Sequence, residues 1–296
     1  MLNLIRADFY RLTRGKTLYA TLAGVIVLAG LVVLPPGGGG VFGMSMQVAM
    51  EYPNGPMGAG VMLELTGVLA FGYLFASTYS LAYLLVLVVL SVAVAGFSGG
   101  AVRNSTAAGI ERKQYYLSTL VTSCALTVVL LLVFTGAGVG LATIVHGPGD
   151  WSTLLGPRTG WASSEPWQLT VFQLIMGVIG TVVSLLAMTS VGVCLSFVVR
   201  NNVALLALLA VLVFLPRLVG SAAMLTQGLF QYDLASWSVV FALPLFVAPS
   251  PLMMGTGFGI PGALVGLAGW TLLISGTWIS ATTRIGLGRF TRMDIR

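Results

Sequence analysis

Apolar residues run along this chain in long blocks separated by short polar breaks, and the blocks have the length of membrane-crossing helices. They cover roughly 17–34, 69–97, 119–145, 169–199, 203–223 and 262–283. A helix needs about 20 such residues to cross a hydrocarbon core about 30 Å thick, since each residue rises about 1.5 Å. The pattern predicts six transmembrane helices. Leu126 to Val145 is typical, with about twelve Leu, Ile, Val or Phe residues. At roughly −0.3 to −0.6 kcal/mol each, these favour insertion by several kcal/mol.

The segments outside the blocks have their own patterns. In MLNLIRADFYRLTRGK, residues 1–16, a turn of 100° per residue puts Leu2, Ile5, Phe9 and Leu12 in one narrow sector. Arg11 and Arg14 point the opposite way and Arg6 lies to one flank. This predicts an amphipathic helix lying in the membrane interface, with a basic polar face. Residues 35–68 read as a Gly/Pro-rich outer loop, and 146–168 as a second one carrying Trp151, Trp161 and Trp167. Trp237 to Val247 is apolar but too short to cross, with prolines at Pro244, Pro249 and Pro251. It reads as part of a pair of short re-entrant or interfacial helices on the outer side. A seventh or eighth span is the rival topology; a single extra crossing would put the Arg-rich tail outside.

Composition sharpens this. Only 7% of the 296 residues are charged and 57% are hydrophobic, with a mean hydropathy of +0.99. Soluble domains carry about 25% charged residues, so there is too little polar surface here to cover a water-facing globule. The expectation is an all-α integral membrane protein: the amphipathic helix, then one six-helix transmembrane domain over 17–296.

Charge gives the orientation. With six spans, one side carries Arg6, Arg11, Arg14, Lys16, Arg103, Arg112, Lys113, Arg200, Arg284, Arg289, Arg292 and Arg296, twelve of the 14 basic residues. Arg158 and Arg217 fall opposite, together with Glu51, Glu64, Asp150, Glu165 and Asp233. The excess of Lys and Arg on cytoplasmic loops then places both termini in the cytoplasm. The long first block has no small-x-small cleavage context at its end and reads as a retained span.

Candidate chemistry is sparse. Cys124 and Cys194 sit inside apolar blocks as small hydrophobes, and His146, the only histidine, has no ligand partner nearby. RGKT at Arg14–Thr17 lacks the glycine that a phosphate-binding loop requires, since Tyr10 occupies its place. GAGVG at Gly136–Gly140 and GTGFG at Gly255–Gly259 follow no strand and are not dinucleotide motifs. A membrane-embedded lipid-modifying enzyme would need convergent acids or nucleophiles at one depth; the outer acids are scattered over three loops. A stand-alone channel or secondary transporter would show corresponding polar breaks in two halves, and no internal repeat is evident. No metal, catalytic residue or nucleic-acid partner is expected of this chain. Glu64 and Arg217 lie near the outer face, where ordinary solvation is the plainer reading and an exit or gate the sharper one.

One polar break stands apart. GGAVRNSTAAGIERKQYYLSTL, residues 99–120, gathers Arg103, Glu111, Arg112 and Lys113 between two of the most apolar blocks. Asn104 or Ser105 can cap a short helix, Thr106, Ala107 and Ala108 can form it, and Gly109 can end it. A second helical piece, Glu111 to Leu120, then enters the third span. Small side chains on a brief capped helix suit a cleft on another protein, with flanking charges setting register. A hydrophilic cytoplasmic turn is the plainer alternative.

Two stretches carry a family resemblance. ADFYRLTRGKTLY (Ala7–Tyr19) resembles the charged, aromatic lead-in to the first span of type-2 ABC exporter permeases. The 99–120 loop is similar to the same family's pattern: G-x-I/V-K/R-N, four or five residues, then S/T/G-R-x-x-I/Y-Y-x-S-K. Thr119 stands here where the family often has Lys. Within the family, the likeness is to bacterial lantibiotic and antimicrobial-peptide immunity or export permeases. It implies a non-enzymatic permease subunit of an exporter in the bacterial cytoplasmic membrane, working as a dimer with an identical or homologous second permease. Separate ABC ATPase subunits would hold ATP and magnesium. By position, Asn104–Gly109 would be the coupling helix. Arg103, Glu111, Arg112 and Lys113 would be its electrostatic frame. The residue 2–14 segment would be a connecting helix meeting the ATPase through Arg6, Phe9, Arg11 and Arg14. The scarcity of intramembrane charge points to a lipophilic or amphipathic cargo, such as an antimicrobial peptide, a drug or a lipid-like molecule.

Overall fold

The structure is a computed structural model. It describes residues 2–14, 16–33, 66–68, 70–71, 85–86, 88–91, 109–151, 171–199, 204–205, 207–208, 211 and 261–292. The described residues are predominantly helical and contain no strand. The principal elements are α1 (Leu2–Arg14), α2 (Lys16–Val33), α3 (Arg112–His146), α4 (Val171–Val198) and α5 (Pro261–Arg292).

Their lengths follow the apolar blocks, with two extensions. α3 is one continuous helix of 35 residues, so the helical piece expected before the third span and the span itself are a single rod. At about 1.5 Å per residue it is ~52 Å long, more than the ~40–45 Å of a bilayer with its headgroups. Glu111 precedes it in extended conformation without a side-chain cap. Gly147 ends it at φ 84°, its N–H bonded to the Thr143 carbonyl. That φ suits only a residue without a Cβ, and Pro148 follows directly, which prevents the helix from continuing. α5 likewise passes its expected end at residue 283 and runs to Arg292.

Among the described residues, two helices are long and apolar enough to cross a membrane: α3, and α4 over Val178–Val198. The way they pack argues for an apolar surrounding. Ser118, Thr122, Ser123, Thr127, Thr135, Ser184, Thr189, Ser190, Ser275 and Thr282 are buried, whereas Val129, Leu132, Ile144, Ile175 and Leu273 are exposed. Of the most apolar window, 33% is buried in α3 and 61% in α4. Hydroxyls buried beside an apolar core, with further aliphatics left on the outer face of α3, suit a surrounding that cannot satisfy polar groups.

Contacts fix the relative directions. Tyr116, near the start of α3, packs on Phe197 at the end of α4 and on Phe290 at the end of α5. Eleven residues along α3, Thr127 meets Thr189, eight residues back along α4. α3 is therefore antiparallel to α4. Phe197 meets Phe290 and Ser190 meets Thr282, so α4 and α5 run parallel. α2 packs along α3, and α5 along α4. Leu85, Val86, Val89 and Leu90 are buried in the same core, with Leu90 against Gly192, where an added Cβ would overlap it. At the far end of α3, the Gly67 and Val68 N–H groups donate to the carbonyls of Gly147 and Pro148 at 3.0 and 3.1 Å. The helical turn that starts at 67 thus has its orphan donors satisfied by the tail of α3.

Candidate functional site: the basic end of the helix assembly

The start of α3 and the ends of α4 and α5 share one end of the assembly, and α1 lies against it. Ser118 donates a 2.8 Å hydrogen bond to Asp8 Oδ2, tying α1 to the second turn of α3. Every Lys and Arg among the described residues belongs to this end: four on α1 and the start of α2, Arg112 and Lys113 on α3, and Arg284, Arg289 and Arg292 on α5. The opposite end carries His146, Asp150 and Trp151, the last set edge-on to Phe71. The separation of charge predicted from sequence is thus present in three dimensions among the described residues.

α1 forms over the expected stretch. Ile5 and Phe9 are half-buried as the amphipathic pattern requires, and Arg6 and Arg14 are exposed. The Arg14 guanidinium lies 4.6 Å from the centroid of the Tyr10 ring, a cation–π contact that holds it on the exposed side. Arg11 has a described backbone only, and Arg103–Ala108, Glu64 and Arg217 lie outside the described residues.

The described part of the polar loop is its exit. Gly109 is exposed at φ 80°, a left-handed conformation that favours glycine. A Cβ built there would meet nothing within 4 Å, so backbone conformation and not crowding accounts for the glycine. Two residues on, the Glu111 carbonyl accepts from the Tyr115 N–H at 3.0 Å, and its carboxylate accepts from Gln114 at 3.4 Å. Lys113 is exposed. Arg112 does something the sequence did not suggest: its Nη1 donates to the Thr291 carbonyl at 3.4 Å. A guanidinium there meets the unsatisfied carbonyls and partial negative charge at the end of α5. The turn and three of its four expected charges therefore lie together, and Arg112 joins that turn to α5.

Beneath the basic surface is an aromatic cluster. The ring centroids of Phe197 and Phe290 are 4.5 Å apart, those of Tyr116 and Phe197 5.0 Å, and those of Tyr115 and Phe290 6.3 Å. Tyr116 donates to the Thr282 carbonyl at 3.3 Å, and its ring lies against Gly286, where any Cβ would overlap it. Deeper in, Ser190 and Thr282 share a 2.8 Å hydrogen bond, and Thr127 and Thr189 one of 2.9 Å. These buried hydroxyls join α3, α4 and α5. The apolar pattern alone does not single them out; the available signal was Ser and Thr recurring at helical spacing within the blocks, as at Ser123 and Thr127.

No His, Cys, Asp and Glu grouping able to hold a metal occurs among the described residues. Comparisons with protein-family models, curated proteins and solved structures give no match for this chain.

Proposed function

We propose that this chain is the six-span permease subunit of an ATP-driven exporter of the type-2 ABC class, carrying a lipophilic or amphipathic cargo such as an antimicrobial peptide, a drug or a lipid-like molecule. The basic end faces the cytoplasm of a bacterial cell, in whose plasma membrane the chain sits as one of two permeases. Separate ATPase subunits with ATP and magnesium dock on that end. The chain does no chemistry itself. The observation that carries the reading is the rigid junction at the basic end: a left-handed turn at Gly109 leads into one unbroken helix from Arg112 to His146. A push on residues 104–109 is delivered to a rod that reaches the opposite end.

In this reading the Asn104–Gly109 segment enters a groove of the ATPase, framed by Arg103, Glu111 and Lys113. α1 is a second contact through Arg6, Phe9, Arg11 and Arg14. When two ATPases close on ATP, the loop moves with them. α3 then shifts relative to α4 and α5 across the hydroxyl seam, changing access to a central path. Glu64 and Arg217 stand near its exit, and short re-entrant helices before the last span border it. The test replaces Ala107 and Ala108 with Glu and Arg in the full chain, and measures co-purification of the ATPase and stimulation of its activity. Loss of both is expected; unchanged association and stimulation would reject the coupling assignment.

A further inference from the structure

We propose that the exposed arc at the end of α5 formed by Arg284, Ile285 and Arg289 binds the phosphate of an anionic phospholipid headgroup, with Ile285 against the adjoining acyl chain. Helix α5 continues past the apolar block into this charged segment. Arg284 and Arg289 are separated by five residues, or ~7.5 Å of rise, comparable to the headgroup zone on one side of a bilayer. Both side chains are exposed. Among the described residues neither arginine has a carboxylate within ion-pairing distance, and the two described acids at this end, Asp8 and Glu111, are hydrogen-bonded to Ser118 and Gln114.

The arc is mixed in a way that suits lipid. Ile285 is 56% exposed beside the two cations, and Gly288, between Arg284 and Arg289 around the helix, has open space where a side chain would stand. Phosphate can therefore approach between the guanidiniums while an aliphatic group lies beside them. The orientation is set from behind: on the opposite side of the same turns Phe290 and Gly286 are buried against Tyr116 and Phe197, and Arg112 donates to the Thr291 carbonyl. Exposed Tyr10 and Tyr19 accompany Arg14 and Lys16 at this end of the assembly, the combination of aromatic and basic groups found at headgroup level. Positive charge without an ion pair among the described residues, set beside apolar surface at that depth, favours an anionic lipid over an acidic protein surface.

This inference rests on the membrane-spanning part of the proposed function and not on the ATPase. Its test places the full chain in phosphatidylcholine discs, and in discs with about a third of the lipid replaced by phosphatidylglycerol, and follows thermal unfolding by tryptophan fluorescence. Phosphatidylglycerol is expected to raise the midpoint by at least roughly 3 °C. The Arg284→Gln/Arg289→Gln chain should lose that rise while keeping its midpoint in phosphatidylcholine. Arg284→Lys/Arg289→Lys, which retains the charge and serves if the first variant folds poorly, should keep most of it. An equal midpoint in the two discs, or a rise that survives the double Gln substitution, would overturn the site. So would inorganic phosphate giving the same rise in phosphatidylcholine, or the Gln variant losing the ATPase while keeping the lipid effect. A chain that enters neither disc would overturn the membrane reading itself, an outcome distinct from a chain that enters both without preference.

Discussion

Ser118 donates to the Asp8 carboxylate at 2.8 Å across 110 residues of sequence, so the only described acid of α1 is turned inward to the start of α3. Ser118 is fully buried and Asp8 partly so. The bond explains why a carboxylate interrupts the half-buried face of an otherwise basic amphipathic helix. It also ties α1 to the start of α3 at the basic end.

Ser118→Ala leaves Asp8 without this donor. A hydrogen bond to a charged group contributes about 1.5–3 kcal/mol, and the partial exposure of Asp8 places the expected loss at the lower end. Unfolding midpoints in detergent check it. In the proposed complex with an ATPase, stimulation should fall more than binding, and an equal fall in both would count against α1 acting as a lever through this contact.

Gly286→Ala sets a methyl group against the Tyr116 phenol and ring. Overpacking of this kind costs about 1–3 kcal/mol. Tyr116→Leu should relieve it, giving a favourable coupling of at least ~1 kcal/mol in a double-mutant cycle. Strict additivity would mean that the two residues do not touch.

Thr127→Val and Thr189→Val should each cost little. Each hydroxyl has one proton; besides each other, Thr127 can donate to the Ser123 carbonyl and Thr189 to the Leu185 carbonyl. Removing one hydroxyl therefore leaves the other with an acceptor on its own helix. The expected cost is ~0.6 kcal/mol, the average for interhelical hydrogen bonds in membranes, again read from unfolding midpoints. A loss above ~2 kcal/mol would show that the pair holds more than itself.

Orientation has its own test. In a chain with Cys124 and Cys194 changed to Ala, single cysteines at Lys113 and at Asp150 report the two ends of α3. An impermeant maleimide added to intact cells should label the cysteine at 150 and leave that at 113 untouched until the cells are opened. The reverse labelling would put the basic end outside.

Much of the architecture was legible in residue order because burial in an apolar solvent is a matter of composition over a window. The blocks at 119–145, 169–199 and 262–283 need only enough Leu, Val and Ile to become helices. Glycine followed by proline at 147–148 stops a helix whatever surrounds it. The amphipathic pattern of 2–14 and, among the described residues, the segregation of Lys and Arg are likewise local properties that survive into the structure. Tertiary packing decided the rest. The apolar block stops at 283, yet α5 runs to 292, where Phe290 packs on Phe197 and Arg112 donates to the Thr291 carbonyl. The partners of Asp8, Tyr116 and Thr127 lie 62 to 166 residues away in the chain. A hydroxyl or a carboxylate acquires its role from whichever helix is brought against it, and that information exists only once the helices have packed.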